Sequence, residues 1–551
     1  MWIMPFILNQ TAHILANIAL ILRYFNYIIK SDKVNIGKWG ILMNMRIKLV
    51  SFLLASLMIL AAFVGCTPAN GSTDQTPAAP AGETVRAGNV RGKVLSGNGD
   101  MMIAGIIIVD EENNAYRATT NAYGGYHLEL APGKYTLTFT KGFEFDTYTT
   151  TVEVESLKTY YLRDVRLNQL TDSYKTGWIA GDLHQHSTYS DGADSISDLA
   201  VANASMGMYW GFLTDHNTSR GVPEWRETSS VNVLTDVSGS KRTFLGMAGS
   251  EVTTEFGHFQ SIGTGMTYDK YEINLTDAER SSTDKNKFAR EKIVYIAEQI
   301  RLQNGIAQIN HPYSITNMGA MNFLDKTDFD LFENFDTIEI WNAYFTVPDG
   351  RFTLENSDNQ NYQAKMLWYS TLNNVKNGGK FIAATNGTDN HDSSGYASGA
   401  TRNAFVETFS KLSEYQNYCR YAGKYSGCIA TYAYLGDKDI TQENILDAVK
   451  NGHSYLTNGP ILNLTANGAI YGETADAENG ELVFRGTVDC RDGMETIRFV
   501  VNGTTVKEVA VNASSYSEDM TVSSLVSGDW VLVEVLGAKG IYAISNPIFI
   551  R

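Results

Sequence analysis

Short apolar runs alternate with amphipathic stretches through the middle of the chain, between about residues 170 and 460. Runs such as Trp178-Ile179-Ala180 and Phe381-Ile382-Ala383-Ala384 have the length and composition of buried strands. Helical patterns lie between such runs, for example over Ser195 to Met206 and Asn286 to Gln303. Strands that alternate with helices predict βα units and a parallel sheet.

The segments on either side of this region show strand patterns instead. Residues 85–169 and 461–551 contain short alternating runs separated by turn signals, and Asn502-Gly503 predicts a tight hairpin. The first segment resembles a carboxypeptidase regulatory-like, transthyretin-like sandwich, and the second predicts a small β-sandwich. Neither contains a catalytic cluster, so we expect a spacer or a contact surface for glycans or proteins.

The beginning of the chain has the pattern of an export signal. Met45-Arg46-Ile47-Lys48 precedes an apolar run that ends before Cys66, and this ending resembles a bacterial lipoprotein lipobox. We expect residues 1–66 to be a leader, with true initiation near Met43 or Met45, and residues 67–84 to be a flexible linker. The alternative for residues 1–44 is a membrane anchor. The expected protein is lipid-anchored through Cys66 in the cell envelope, exported to the outer membrane or cell surface. An ordinary membrane helix with an incidental cysteine is the alternative.

Composition and charge narrow the choice of partners. The chain has 551 residues, enough for three or four domains, and a formal net charge of −16. A strongly acidic protein repels the phosphates of nucleic acids, so we expect no nucleic-acid partner. Cys419 and Cys428 lie in a Tyr-rich and Gly-rich insertion, residues 410–439, and form either a disulfide or two free thiols.

Histidines collect at the ends of the predicted strands. Six of the nine histidines follow apolar runs, and most have a carboxylate or another histidine nearby. On a strand His184 and His186 would point to the same side, as two ligands of one metal ion must, and Pro312 favours an extended His311. The motifs are His184-Gln185-His186, Ser190-Asp191-Gly192, Thr214-Asp215-His216, Gly249-Ser250-Glu251, Gly257-His258, Asn310-His311-Pro312 and Asp389-Asn390-His391.

In this order the motifs resemble the polymerase-and-histidinol-phosphatase (PHP) superfamily, over about residues 175 to 460. The segments 338–342, 445–449 and 452–460 resemble its CehA/McbA-type metallohydrolase branch. The resemblance implies a distorted (β/α)7 barrel with its active site at the carboxyl ends of the strands. The expected fold class is therefore a multidomain protein with a PHP barrel at 170–460, an N-terminal transthyretin-like sandwich at 85–169 and a C-terminal sandwich at 461–551.

The resemblance also implies two to three divalent metal ions, zinc, manganese or iron. Asp194 competes with Asp191 for its place in the ligand set, and Glu255 competes with Glu251. The implied ligands are His184, His186, Glu251 and Asp389 for the first ion, Glu251, His258 and His311 for the second, and Asp191, His216 and His391 for the third.

Three further residues are candidates for catalysis. Asp215 is expected to orient a ligand, Asn342 either contacts substrate or caps a turn, and Arg402 either binds a substrate anion or forms a surface ion pair. His453 is expected to be structural. The expected function is a hydrolase with a metal-bridging hydroxide that acts as a phosphoesterase on a small or extracellular substrate. The alternatives are a carbamate, ester or amide hydrolase, and a non-catalytic binding lipoprotein.

Overall fold

A computed structural model describes residues 86–111, 115–314, 318–343, 354–391 and 426–551. The leader, the lipid-attachment candidate Cys66 and the linker 67–84 lie outside the described residues. Arg402, Cys419 and much of the 410–439 insertion lie outside them as well, so the anion-binding and disulfide predictions stay predictions. Within the described ranges, no helix is both long and apolar enough to cross a membrane.

The N-terminal part is a sandwich of two four-stranded sheets. Alternating apolar residues such as Val90, Ile106, Leu137 and Phe139 fill the space between the sheets. One sheet contains the first, fourth, seventh and eighth strands, and the other contains the remaining four. The strands are Gly88–Ser96, Gly105–Asp110, Ala115–Thr119, Gly125–Leu130, Gly133–Thr140, Tyr148–Val154, Thr159–Tyr161 and Val165–Leu167.

A buried lysine joins this sandwich to the next domain. The Lys141 ammonium donates a hydrogen bond to the carbonyl of Ala204, near the carboxyl end of a helix. Beside it Gly142 has a φ of 76°, and a Cβ there would collide with the Met206 carbonyl oxygen. The two domains therefore meet backbone to backbone, with one enclosed lysine at the contact.

Burial lowers the pKa of Lys141 to about 7, from 10.5 in an unfolded chain. Between these values the unfolded state binds the extra proton, so the free energy of unfolding is expected to rise with pH from about 7 to 10.5. The rise is on the order of a few kcal/mol. Denaturant titrations across this range should give a smaller rise for Lys141→Met than for the wild type. Lys134→Met, at an exposed site on the 133–140 strand that ends just before Lys141, should match the wild type; an equal rise in all three proteins would contradict the prediction.

A closed barrel follows the sandwich. Its first strands, Trp178–Asp182, Trp210–Leu213 and Leu245–Thr254, pair in parallel, and so do three later strands, Ile306–Ile309, Thr337–Asn342 and Ala383–Gly387. Two strands run in the opposite direction, Gly257–Ile262 and Ala430–Tyr434. Ser454–Thr457 pairs with the second of these.

The reversed strands differ from the parallel sheet that the alternating pattern predicted. Only Glu255 and Phe256 separate the 245–254 strand from the 257–262 strand. A parallel crossover needs a dozen or more residues, so this short connection makes a hairpin. The hairpin has a consequence for the site, because it places Thr253 opposite His258 and so brings His258 back beside Glu251.

Helices pack on the barrel where the pattern predicted them. The Ile196–Ser205 helix begins at an N-cap, Ser195, whose side chain accepts from the Asp198 amide, and Lys285–Leu302 covers the second predicted helix. The remaining helices are Val222–Glu227, Lys270–Ile273, Asp277–Arg280, Phe329–Phe332, Gln360–Val375 and Gln442–Lys450. Short 3₁₀ turns cover Ser173–Thr176, Thr228–Ser230, Ala320–Asn322 and Ala538–Gly540, and a small hairpin joins Asn232–Thr235 and Lys241–Thr243.

The C-terminal strands continue the barrel's sheet. Tyr542–Ser545 pairs antiparallel with Ser454–Thr457, with Leu456 opposite Ile544. The predicted turn at Asn502-Gly503 is present, since both residues have positive φ between two long strands. The other strands are Ile461–Ala466, Thr474–Ala475, Leu482–Val501, Thr504–Tyr516, Met520–Val522, Trp530–Leu536 and Ile548–Ile550.

A buried ion pair joins this C-terminal sheet to the Gln360–Val375 helix. Glu534 lies 3.1 Å from the Lys365 ammonium, and both side chains are nearly inaccessible to solvent. The same carboxylate accepts hydrogen bonds from the Tyr369 and Tyr542 hydroxyls and forms an ion pair with Arg498. The full set of partners satisfies a charge that would otherwise be costly to bury.

Candidate metal centre

The His184 and His186 rings lie together in a loop, not on a strand. The strand ends at Asp182, whose carboxylate accepts a hydrogen bond from the His184 amide at 3.1 Å and another from the Thr388 amide at 3.1 Å. The His186 amide donates to the Asn390 carbonyl at 2.8 Å. These bonds fasten the first and last metal-binding motifs to each other, although about 200 residues separate them.

Two other candidate ligands occupy strained backbone. His311 has a φ of 23° and Asp389 has a φ of 51°, values that cost a non-glycine residue about 1–3 kcal/mol. The expectation that Pro312 keeps His311 extended is therefore wrong, and the 383–387 strand ends before it reaches Asp389. The turns persist because the His311 amide donates to Glu339 at 2.9 Å and the Asp389 amide donates to the His184 carbonyl at 2.8 Å.

Glu251 lies at the middle of the cluster, fully buried. Five imidazoles surround its carboxylate, and Asn310 donates to it at 2.9 Å. The distances from carboxylate oxygen to ring nitrogen are 3.0 Å for His216, 3.1 Å for His258 and His311, and 3.4 Å for His184 and His186. One carboxylate with ligands on both of its oxygens has the geometry needed to bridge two ions.

Asp389 and Asp191 complete the two sides of the cluster. Asp389 lies 3.1 Å from His186 and 3.3 Å from His184, beside Glu251. Asp191 lies 3.4 Å from His391 and 3.5 Å from His216, farther out. Asp191 thus faces the outer histidines and Asp389 faces the inner ones.

Four groups of side chains bring their ligand atoms within 4.8 Å of one another. Together they contain all nine metal-ligand candidates that the sequence suggested, and they overlap at His184, His186, His216 and Glu251. The group that contains Asp191, called the outer group below, includes the three residues expected for the third ion. The groups are His186, Asp191, His216 and His391; His184, His186 and Glu251; His184, His311 and Asp389; and His216, Glu251 and His258.

The electrostatics of the cluster suit divalent cations. Burial opposes ionisation of Glu251, yet the charges of His184 and His258 hold its pKa well below the usual range. Burial and His391 lower the pKa of His186 to about 3, so that ring is neutral and one of its nitrogens has a lone pair for a metal. Burial opposes protonation of His184, His216, His311 and His391 as well, yet the carboxylates around them raise their pKa values, so metal binding would displace their protons. His184 Nε2 and Glu251 Oε2 are buried and make no hydrogen bond to any described residue. Ionised carboxylates and imidazoles are the donors that zinc, manganese or iron prefer, so the residues fit the expected metal.

The two competing carboxylates stand elsewhere. Glu255 lies 2.8 Å from Arg280 and accepts a hydrogen bond from the Leu275 amide, which fixes it outside the cluster. Asp194 belongs to none of the four ligand groups, whereas Asp191 does. The structure therefore brings Glu251 and Asp191 to the site.

Asp215 and Asn342 hold other residues in place. Asp215 accepts hydrogen bonds from the Ser187 amide at 2.8 Å and from the Ser190 hydroxyl at 2.7 Å, so it fixes the loop between His186 and Asp191. Asn342 is inaccessible to solvent and donates to Asp389 at 3.2 Å and to Glu339 at 3.0 Å. Both side chains therefore hold other residues of the cluster, and a direct part of Asn342 in substrate binding stays a prediction.

Glu339 is a functional candidate that the sequence reasoning missed. It is buried, lies 2.9 Å from His184 Nδ1 and accepts from the His311 amide at 2.9 Å. A carboxylate that accepts from Nδ1 fixes the histidine tautomer and leaves Nε2 for a metal. The signal was available, because Glu339 interrupts the apolar run Ile338 to Trp341, where a charge has no packing purpose.

Glu339→Gln is expected to weaken metal affinity by about 10- to 100-fold, since the amide no longer fixes the His184 tautomer. Competition with a chromogenic chelator would measure the affinity. Glu298→Gln, at an exposed site on the 285–302 helix, is the matched control and should bind metal as the wild type does. Equal affinities for all three proteins would show that His184 needs no such partner.

Solvent reaches the cluster from one side. The side chains of His184, His186 and Glu251 are at most 1% exposed, whereas those of His216, His391 and Asp191 are 24%, 29% and 57% exposed. A substrate therefore meets the outer group first.

Comparisons with known proteins return structures but no sequence family. No family model and no curated protein matches the chain. A two-domain protein of Bacteroides vulgatus, which contains a predicted PHP-like metal-dependent phosphoesterase, is 14% identical, covers 68% of this chain and 95% of its own, and has a TM-score of 0.33. A Chromobacterium violaceum amidohydrolase with bound sulfate and no metal is 15% identical over 38% of this chain and 87% of its own, with a TM-score of 0.25.

A Bifidobacterium adolescentis protein, described as a candidate metal-dependent phosphoesterase, is 11% identical, covers 41% of this chain and 94% of its own, and has a TM-score of 0.24. Similarity at these TM-scores carries no argument about fold or function.

Proposed function

We propose that this protein is a metal-dependent hydrolase of the PHP type that cleaves phosphate esters. The observation that carries the proposal is the buried Glu251 carboxylate, which lies within 3.4 Å of five imidazoles. A structural site for one ion needs about four ligands, and nine candidates that include a shared carboxylate are more than such a site uses. The motif order supports the assignment to the PHP superfamily and to its CehA/McbA branch.

Divalent ions held by these residues would lower the pKa of water to give a nucleophile near neutral pH and would stabilise negative charge on the substrate. The chain itself supplies the geometry. Glu339 and Asn342 orient His184 and Asp389, and Asp215 holds the loop that presents Asp191 at the exposed side. Arg402 is proposed to bind an anionic oxygen of the substrate.

The ligand set suits ester, carbamate and amide hydrolysis as well, because each reaction needs an activated water and charge stabilisation. Phosphate esters are favoured by an exposed guanidinium near the cluster, described below. A binding lipoprotein with a decayed site is disfavoured because a decayed site loses ligands, and all nine candidates still converge. Attachment to the cell envelope through Cys66, and contact of the sandwiches with glycans or proteins, are further parts of the proposal.

Elemental analysis together with p-nitrophenyl phosphate and p-nitrophenyl acetate assays tests the function. We expect two to three metal equivalents per chain, phosphatase activity, and loss of both in His184→Ala. His127→Ala removes an exposed histidine of the N-terminal sandwich and should change neither quantity. Cleavage of the acetate alone would favour the ester and carbamate alternative. A protein that binds no zinc, iron or manganese after repletion would sink the hydrolase proposal.

A further inference from the structure

The loops that border the exposed side of the cluster carry an arginine and a tyrosine that the metal chemistry does not use. Tyr189 lies two residues before the candidate ligand Asp191, and Arg220 lies four residues after the candidate ligand His216. The guanidinium carbon of Arg220 stands 5.9 Å from the centre of the Tyr189 ring, within the range of a cation–π contact. Two ligand-bearing loops therefore meet through this pair.

The Tyr189 ring is held from several sides. Its hydroxyl donates to Glu224 at 2.9 Å, and its amide donates to the Ser187 hydroxyl at 3.2 Å. The backbone at Gly221 approaches so closely that a Cβ there would stand 2.8 Å from a ring carbon. A fixed ring limits the positions that the guanidinium can occupy above it.

Arg220 keeps its charge unpaired among the described residues. Its side chain is exposed, and no described carboxylate lies within ion-pair distance of it, including Glu224 beside the ring. Arg242, paired with Asp172 at 2.7 Å, and Arg280, paired with Glu255 at 2.8 Å, differ from it in this respect, whereas Arg226 also has no described carboxylate within ion-pair distance. Arg220 differs from Arg226 in its contact with a ring on a loop that carries candidate ligands, and it offers an anion an unpaired cation in a protein with a net charge of −16.

The tyrosine contact leaves the guanidinium donors available. A cation–π contact occupies no hydrogen-bond acceptor, so the guanidinium N–H groups still form a planar fork that matches a phosphate or carboxylate. An uncharged substrate offers that fork no comparable partner. An anionic substrate gains a charge-assisted contact outside the metal cluster.

We propose that Arg220, positioned by Tyr189, binds an anionic oxygen of the substrate at the exposed edge of the cluster and selects phosphate monoesters over neutral esters. The inference rests on the proposed hydrolase function and specifies the substrate class of that same site. Arg220 is a specificity residue in this proposal, and Tyr189 is a positioning residue.

Kinetics of Arg220→Gln test the inference on the full chain. The KM for p-nitrophenyl phosphate and the inhibition constant of inorganic phosphate are expected to rise about 10- to 100-fold, the usual worth of a charge-assisted contact. Cleavage of p-nitrophenyl acetate and the metal content should stay at wild-type values, since neither involves the guanidinium. Arg220→Lys should recover part of the loss, because it restores charge without the fork.

Arg226→Gln is the matched control, because it removes one exposed positive charge from the neighbouring 222–227 helix. It should leave KM and phosphate inhibition unchanged. If Arg220→Gln and Arg226→Gln shift both constants equally, long-range charge accounts for the effect and the subsite is overturned. Wild-type values of KM and of the phosphate inhibition constant in Arg220→Gln would overturn the subsite as well. The hydrolase proposal would stand in that case, provided that metal content and hydrolysis are normal. If the wild-type protein binds no metal and hydrolyses neither substrate, the hydrolase proposal and the Arg220 proposal both fail.

Discussion

Glu251→Gln is expected to remove at least one metal equivalent and to reduce hydrolysis by more than about a hundredfold. The lower bound follows from residues that only hydrogen-bond to a metal ligand. Loss of such a residue already lowers metal affinity or activity about 10- to 100-fold. Glu251 is a direct ligand candidate with five imidazoles around it, and an amide in its place neither balances two dications nor bridges them. Elemental analysis and initial rates on p-nitrophenyl phosphate would measure both effects.

Glu255→Gln supplies the matched control for this experiment. Glu255 lies on the same hairpin but binds Arg280 at its surface, so its replacement should leave metal content and rate near wild type. Thermal denaturation would verify that each variant is folded. A folded Glu251→Gln protein with its full metal content would contradict the bridging role.

Lys365→Met is expected to lower the free energy of unfolding by about 3–5 kcal/mol, the cost of leaving one member of a buried ion pair without its partner. Lys365 neutralises Glu534, which is almost completely buried between the 360–375 helix and the C-terminal sheet. Arg498 and two tyrosine hydroxyls remain with the carboxylate, so we expect the lower part of that range. Urea denaturation followed by tryptophan fluorescence would give the difference.

Arg551→Gln breaks an ion pair of a different kind and serves as the comparison. Its partner is Asp476, and both side chains are about 70% exposed, so solvent and salt already screen the interaction. Its loss should cost less than about 1 kcal/mol. A Lys365→Met protein as stable as Arg551→Gln would show that the buried pair contributes little.

The sequence predicted the composition of the site better than its geometry. Histidines and carboxylates stood out because they followed apolar runs, and all nine candidate ligands converge in the structure. Strand alternation was the wrong reason for the pairing of His184 with His186, since both lie beyond the strand end at Asp182. The positive φ values of His311 and Asp389 depend on hydrogen bonds to Glu339 and His184, which are remote in sequence and leave no local pattern.

The domain architecture was predictable only in part for a similar reason. The patterns of 85–169 and 461–551 predicted strands, and strands are present in both segments. Leu456 pairs with Ile544, which lies almost ninety positions later in the chain. The predicted domain boundary at residue 460 separates these two strands, so the sequence pattern did not predict that they share a sheet. Strand partners are chosen by tertiary packing, which a single run of residues does not encode.

The buried pair of Lys365 and Glu534 also bears on how the protein matures. One helical turn before Lys365, the Asn361 side chain bonds both the amide and the carbonyl of Asn342, which in turn donates to Asp389. A strand of the C-terminal sheet therefore braces the helix whose Asn361 holds Asn342 beside the candidate ligand Asp389. Chains are synthesised from the N-terminus, so the candidate centre is expected to reach its final alignment only after residue 534 has been made and has joined the sheet.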